Sequence, residues 1–262
     1  MEAILTILGS GTSMGVPTLG CPCAVCHSTD PHDKRTRPSV RLEFGGHTVL
    51  IDTGTDFRLQ ALRENITRVD AVFYTHSHAD HIFGLDDLRP LSFGPGRAIP
   101  LYADSATADT IERIFEYTFS ADSKYPTSAK VKMHRLTADP AAHVTVDLFG
   151  AHFERIPVQH GPQLISGYRF GSAAYLTDMS GLPEASLPLL TGLDVLILDA
   201  LRHDPHPSHS HLANSIELVR KLKPRQAYFT HMSHDLPHQA TNDSLPPGMQ
   251  LAFDGQRIPF AI

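Results

Sequence analysis

The 262-residue chain has no apolar run approaching the length that spans a bilayer, so no helical membrane span is expected. Its opening, Met1-Glu2-Ala3-Ile4-Leu5, lacks the positive start and cleavage site of a secretory signal, and a cytoplasmic location is the expectation. Basic residues are in deficit: 22 Lys and Arg stand against 28 Asp and Glu, a net charge of −6. A protein that works mainly on a nucleic-acid backbone ordinarily carries a basic face, so nucleic acid is not expected as the main partner. Cysteine is scarce as well. Three residues cannot form a complete set of internal disulfides. No fixed-period repeat, low-complexity tract or linker divides the chain, and one domain over residues 1–262 is expected. Hydrophobic residues at 41% and charged residues at 19% are ordinary globular values.

What the chain does have is a short run of extreme composition, Thr75-His76-Ser77-His78-Ala79-Asp80-His81. Four metal-capable side chains fall within six residues as His-x-His-x-Asp-His. Imidazole and carboxylate together suit divalent transition metals. If a strand leads into the run and a helix leaves it, His76 and His78 face one way and Asp80 and His81 another. One turn then feeds two metal ions, the layout that polarises a substrate and generates hydroxide at neutral pH.

Hydrophobic periodicity supplies that context. Strands are expected at Ala3–Gly9, at Val40–Phe44 and Thr48–Asp52 as a hairpin around Gly45-Gly46, and at Ala71–Thr75. Further strands are expected at His143–Phe149, Ala151–Val158, Gly167–Phe170, Ala173–Thr177, Val195–Asp199 and Gln226–Thr230, with two short ones around Asp254-Gly255. Helices are expected at Phe57–Glu64, at Ala106–Tyr117 with Ile111, Ile114 and Phe115 on one face, and at Leu212–Leu222. Cys21–Pro38 and Phe119–Ser128 read as the least structured stretches. His76, Asp178 and His231 each follow directly on a strand end, and His160 comes just after one. Such residues can converge on one edge of a packed sheet pair.

The run Thr75–His81, the later His160 in Gln159-His160-Gly161, Asp178 in Leu176-Thr177-Asp178 and His231 in Phe229-Thr230-His231 occur in an order that resembles the metallo-β-lactamase fold superfamily. The opening Leu8-Gly9-Ser10-Gly11-Thr12-Ser13-Met14-Gly15-Val16-Pro17, with Gly20-Cys21-Pro22-Cys23-Ala24-Val25-Cys26, narrows the resemblance to the PhnP-type phosphodiesterases. The resemblance implies an α/β, four-layer αβ/βα sandwich in which two mixed β-sheets are flanked by helices. It implies a first metal on His76, His78 and His160 and a second on Asp80, His81 and His231, with Asp178 and a hydroxide bridging them. The ions would be Mn2+ or Zn2+, because His and Asp ligands serve both. Asp52 then reads as an acceptor that orients a ligating histidine. Two divalent ions, two aspartates and a hydroxide leave a charge of about +1, which suits a monoanionic phosphodiester. The implied activity is hydrolysis of a small-molecule phosphodiester, such as phosphoribosyl 1,2-cyclic phosphate; a homodimer is also implied. RNA 3′-end processing and lactone or thioester hydrolysis are the alternatives on the same metals, and a metal-loaded module without turnover stands behind them.

Cys21, Cys23 and Cys26 are spaced C-x-C-x2-C. Three clustered thiolates need one more ligand to close a tetrahedral Cys3His site for a structural Zn2+. His27 and His32 are near in sequence, while the resemblance points to His234. The segment Ala200–His211 reads as an active-site loop. Any of His203, His206, His209 and His211 in it can protonate a leaving group, and the resemblance selects His209. The glycine-rich Leu8–Gly15 lacks the Gly-Lys-Ser/Thr of a phosphate loop and reads as a tight turn bringing backbone to the metal edge. Asp86-Asp87 reads as a solvated helix face. Phe115, Tyr117, Phe119 and Tyr125 read as core or lid packing, and Lys124 and Arg202 as cations for a second substrate phosphate.

Overall fold

The computed structural model describes residues 1–93, 98–120 and 127–262. Six strands form most of a first sheet: β1 (Glu2–Gly9), β2 (Ser39–Phe44), β3 (His47–Ile51), β4 (Ala71–Phe73), β5 (Ile99–Ala103) and β6 (Val131–Arg135). Seven form a second: β7 (Val144–Leu148), β8 (Ala151–His160), β9 (Gln163–Phe170), β10 (Ala173–Leu176), β11 (Val195–Asp199), β12 (Gln226–Thr230) and β13 (Met249–Leu251). The last strand, β14 (Arg257–Ala261), returns to the first sheet beside β1. The sheet orders are β14-β1-β2-β3-β4-β5-β6 and β13-β12-β11-β10-β9-β8-β7. Both are mixed: β3 to β6 run parallel, as do β10 to β13, and the other neighbours are antiparallel.

The uninterrupted apolar strands have a simple physical reason. Side chains alternate between faces along a strand, and here both faces are dry. Val195 and Ile197 of β11 point into the core between the sheets, while Leu196 and Leu198 point into the outer core. In β4, Ala71 and Phe73 face the centre and Val72 the outside. Helix α1 (Phe57–Arg63) and helix α3 (Ser105–Ile114) cover the first sheet through Phe57, Ala108 and Ile111. The short α2 (Ala79–Ile82) carries part of the histidine run, and α4 (Glu116–Phe119) follows α3. Helix α5 (Leu212–Leu222) covers the second sheet with Leu212, Val219 and Leu222. The result is the expected helix–sheet–sheet–helix sandwich.

β11, β12 and α5 match their expected bounds residue for residue. Several other expectations need correction. β4 stops at Phe73: Tyr74 N–H makes the last ladder bond, to Tyr102 O of β5 (2.8 Å), and Thr75 N–H turns to Asp52 Oδ1 (2.8 Å). β8 runs through His160, which therefore lies in the strand. The expected single helix over Ala106–Tyr117 is broken at Phe115, and Ile114 is exposed. The two C-terminal strands belong to opposite sheets. At their crossing, Asp254 accepts hydrogen bonds from Ser10 N–H and Thr36 N–H, both 2.9 Å. Sequence periodicity missed β5, β6 and α6 (His238–Ser244). Pro100 disrupts the strand signal in β5, β6 is a polar edge strand, and α6 is built of poor helix formers. Tyr125 and Lys124 lie outside the described residues. Among the described residues no helix is long and apolar enough to cross a membrane.

Phe73 stacks on Tyr102 (4.7 Å between centroids) and Phe153 (4.8 Å) and meets the edge of Tyr168 (5.2 Å), joining the two sheets. Replacing Phe73 by Ala opens a cavity at that junction and is expected to cost about 3–5 kcal/mol, read as a lower urea midpoint with unchanged slope.

Candidate metal centre

Six strand ends converge on one edge of the sandwich. β3 delivers Asp52, β4 leads into His76, β8 ends on His160, β10 leads to Asp178, β11 ends on Asp199 and β12 leads to His231. Three of these residues, Asp52, Asp178 and His231, hold left-handed backbone (φ 65°, 55° and 58°). That conformation is rare for residues with a side chain, and its concentration on this edge marks a place where the chain accepts strain to aim side chains inward. The turn after β3 presses against the histidine run: a Cβ on Gly54 would lie 1.9 Å from Asp80 O, so only glycine fits there. On the other side, Met232 N–H donates to Ser10 O and Thr12 N–H to Met232 O, both 3.0 Å. The glycine-rich turn thus runs beside the strand end that bears His231.

Two groups of ligand atoms result. His76, His78, His160 and Asp178 form one, and Asp80, His81, Asp178 and His231 the other, each within 4.8 Å. Asp178 belongs to both. His81 Nε2 is 3.2 Å from Asp80 Oδ2 and 3.1 Å from Asp178 Oδ2, and His231 Nε2 is 3.2 Å from Asp178 Oδ1. A tetrahedral ion with ligands at 2.0–2.2 Å separates their atoms by roughly 3.3–3.5 Å, close to these spacings. Asp80 Oδ2, His81 Nε2 and His231 Nε2 are buried with no hydrogen-bond partner among the described residues. Buried polar atoms are nearly always partnered, so these three orphans, aimed at one point, fit a cation.

The neighbouring groups fix each ring. His81 Nδ1 lies 2.8 Å from Asp52 Oδ2, and Asp52 is itself held by Thr75 N–H and Thr75 Oγ1, both 2.8 Å. His160 Nδ1 lies 2.8 Å from Ser208 O. With Nδ1 engaged, Nε2 is left for the centre. The charges follow. Burial works against protonating His81, but Asp178, Asp80 and Asp52 outweigh it and lift its pKa well above the imidazole range. His231 is likewise pushed up to about 9, against burial, by Asp178, Asp80 and Asp199. Burial would raise Asp178, yet His231 and His81 hold it well below the usual carboxylate range. Two buried acids thus hold positive charge on two histidines, a place that divalent ions fill by displacing those protons.

Asp199 is a site residue that the sequence reading missed. It is fully buried, its Oδ2 lies 2.9 Å from His209 Nδ1 and 3.6 Å from His231 Nδ1, and burial carries its pKa well above the ordinary carboxylate value. The available signal was an acid ending an otherwise apolar strand. His209 stacks on His231 with centroids 4.6 Å apart. Burial and the neighbouring His231 push its pKa down to about 4. Of the other loop histidines, His206 flanks His209 at 5.1 Å, His211 begins α5 and His203 is exposed. Arg202 is tied to its own loop through Asp204 O and Pro205 O.

Cys21, Cys23, Cys26 and His234 form a third group within 4.8 Å, with His234 Nδ1 3.3 Å from both Cys21 Sγ and Cys26 Sγ. His27 is exposed and His32 packs instead on His238 and Phe253. The Cys26 N–H hydrogen bond lowers the Cys23 pKa, whereas burial raises that of Cys26. Three sulfurs and one imidazole fit tetrahedral zinc. Such an ion would tie the N-terminal loop to the segment just after His231.

Against this geometry, a model of the beta-lactamase superfamily domain matches residues 47–232. A solved structure described as a new diphosphatase from the PhnP family is 56% identical, with a TM-score of 0.92 over 99% of this chain and 98% of that one. An octanoyltransferase of Porphyromonas gingivalis is 37% identical over 95% of this chain, which spans only 50% of the transferase's length. Ribonuclease Z of Anoxybacillus flavithermus is 25% identical, with 87% of each chain covered. The chain belongs to the metallo-β-lactamase superfamily and, within it, to the PhnP family. The fold implies divalent metal ions.

Replacing Asp52 by Ala removes the acceptor behind His81 and is expected to weaken metal binding at Asp80, His81 and His231 about 10- to 100-fold, measured by competition with a chromogenic chelator. Replacing Cys23 by Ser is expected to remove one equivalent of bound zinc by elemental analysis and to lower stability by at least about 2 kcal/mol.

Proposed function

We propose that the protein hydrolyses a P–O bond of a small anionic phosphodiester, with a cyclic phosphate as the favoured form. The observation that carries this reading is one carboxylate, Asp178, shared between two complete ligand groups on a single edge. His76, His78 and His160 would hold one divalent ion, Mn2+ or Zn2+, and Asp80, His81 and His231 a second, with Asp178 reaching both. Ions so placed supply charge for the phosphoryl oxygens and lower the pKa of water toward neutrality.

The chain's own groups do the rest. Asp52 and Ser208 O keep His81 and His160 in the tautomer that offers Nε2. Asp199 accepts from His209 Nδ1, which turns His209 Nε2 toward the site; as the imidazolium, the minor form at neutral pH given its lowered pKa, His209 would give its Nε2 proton to the departing oxygen. Asp178 and Asp80 supply the negative charge that leaves the loaded site weakly positive, matched to a monoanion and not to a long polyanion. The net charge of −6 also supports a small substrate over RNA.

The 56% identity to a diphosphatase favours a second reading, in which the scissile bond is a phosphoanhydride. The transferase relative points to acyl chemistry, but this chain spans half of that protein against 98% of the diphosphatase.

The test is steady-state hydrolysis by manganese- and zinc-loaded protein of bis(p-nitrophenyl) phosphate, a sugar cyclic phosphate and a diphosphate diester. Asp178→Ala is expected to lose at least about 1,000-fold in kcat on whichever is cleaved. His209→Ala is expected to lose about 100-fold or more on the substrate with an alkoxide leaving group, and far less on the p-nitrophenyl ester, whose leaving group departs without a proton. Turnover of a lactone or thioester with all phosphorus substrates untouched contradicts the proposal.

A further inference from the structure

Arg35 lies on the loop between the cysteine cluster and β2, and it is among the largest buried side chains of the described residues, only 2% exposed. Taking a guanidinium out of water is costly unless its donors meet well-placed acceptors. Its carboxylate contact, Asp33 Oδ1, is long at 3.4 Å. The short bonds go to main-chain carbonyls: Nη1 donates to Ser233 O (2.8 Å) and Nη2 to Leu236 O (2.5 Å), with Nε on His32 O at 3.3 Å. A rigid planar fork that bonds two carbonyls fixes the spacing between them as well as their distance from it.

His234 sits between those two carbonyls. Its own N–H and C=O have no hydrogen-bond partner among the described residues, so the turn is set from its flanks. Ser233 N–H donates to Leu201 O (2.8 Å), and beyond the turn His238 N–H donates to Asp33 Oδ1 (2.9 Å). With the fork in place, His234 Nδ1 stands 3.3 Å from both Cys21 Sγ and Cys26 Sγ. The cysteine side is gripped by the preceding residue. Lys34 has extended backbone (φ −97°, ψ 102°), where consecutive side chains point opposite ways, and its Nζ donates to Cys26 O (3.2 Å). Arg35 is fixed in turn by a two-way bridge to Val16, at 2.7 and 2.9 Å. One dipeptide thus touches both halves of the Cys3His group. The charge suits the group as well: three thiolates around Zn2+ leave a net negative charge, and both grips are cationic.

We infer that Arg35 is a positioning residue of the Cys3His site: its fork holds the His234 turn where one ion can join that imidazole to Cys21, Cys23 and Cys26. The inference goes beyond the hydrolase reading and does not depend on it. Affinity for the ion is then set in part by a side chain that never touches it, acting through two backbone carbonyls.

The experiment uses Co2+ in place of Zn2+, because a thiolate charge-transfer band reports the Cys3His group alone of the three ligand groups. Arg35→Met, of similar length and without donors, is expected to show the wild-type band at saturating cobalt, since all four ligands remain. In competition with a chelator it is expected to hold the ion about 10- to 100-fold more weakly. Arg35→Lys keeps the charge and loses the fork, and is expected to fall between the two. Arg155→Met is the control: it removes another fully buried guanidinium, one spent on Ser166 Oγ (2.7 Å) and Ala142 O (2.7 Å) in the second sheet's half of the molecule. That variant is expected to unfold at lower urea and to keep wild-type cobalt affinity. Wild-type cobalt affinity in folded Arg35→Met, or in Arg35→Lys where only that variant folds, overturns the inference. So does equal weakening in Arg155→Met, which marks a general loosening, and so does a wild-type protein with no thiolate band.

Discussion

The Asp178 carboxylate is the constraint around which the site is arranged. It is buried and held in left-handed backbone after β10, with His81 Nε2 on one oxygen and His231 Nε2 on the other. A lone buried carboxylate is costly, so the surroundings must return positive charge, and they do so with rings from both sheets. His76 and His81 come from the first sheet, and His160 and His231 from the second. The edge can close around Asp178 only if the two sheets keep their relative position, which the Phe73, Tyr102, Phe153 and Tyr168 stack between them enforces. Packing energy in the core is in this way converted into fixed distances at the edge.

A ring of acceptors carries that rigidity outward. Asp52 holds His81, Ser208 O holds His160, and Asp199 holds His209 while reaching toward His231. Asp52 and Asp199 do so with carboxylates at strand ends and Ser208 with its backbone carbonyl, so the fold sets the orientation of each ring. Gly54 shows how little slack remains, since a single methyl group there would collide with Asp80 O. The Cys21, Cys23, Cys26 and His234 group extends the same logic, linking the N-terminal loop to the residues just after His231.

Much of this was legible in the sequence, for identifiable reasons. The run from His76 to His81 announces itself because four ligands in six residues have no packing explanation. The strands β11 and β12 and helix α5 have clean periodicity and sharp boundaries. Asp199 was hidden because a single acid at a strand end resembles many others, and its role appears only when His209 folds back across it. The grip of Arg35 on the His234 turn could not be anticipated, since nothing in an isolated arginine points to carbonyls far along the chain. β6 was missed because an edge strand half in water offers only two apolar residues, Val131 and Met133, to mark it, and β13 and β14 part at Asp254, which accepts from Ser10 N–H and Thr36 N–H, while Ile258 and Phe260 seat β14 in the central core.

The central claim is that two divalent ions share Asp178. Anomalous diffraction from crystals grown with manganese or zinc, collected on either side of the metal's absorption edge, tests it most directly. The account predicts two strong peaks flanking the Asp178 carboxylate, one within reach of His76, His78 and His160 and the other of Asp80, His81 and His231. A single peak, or two peaks of which either lies away from Asp178, contradicts it.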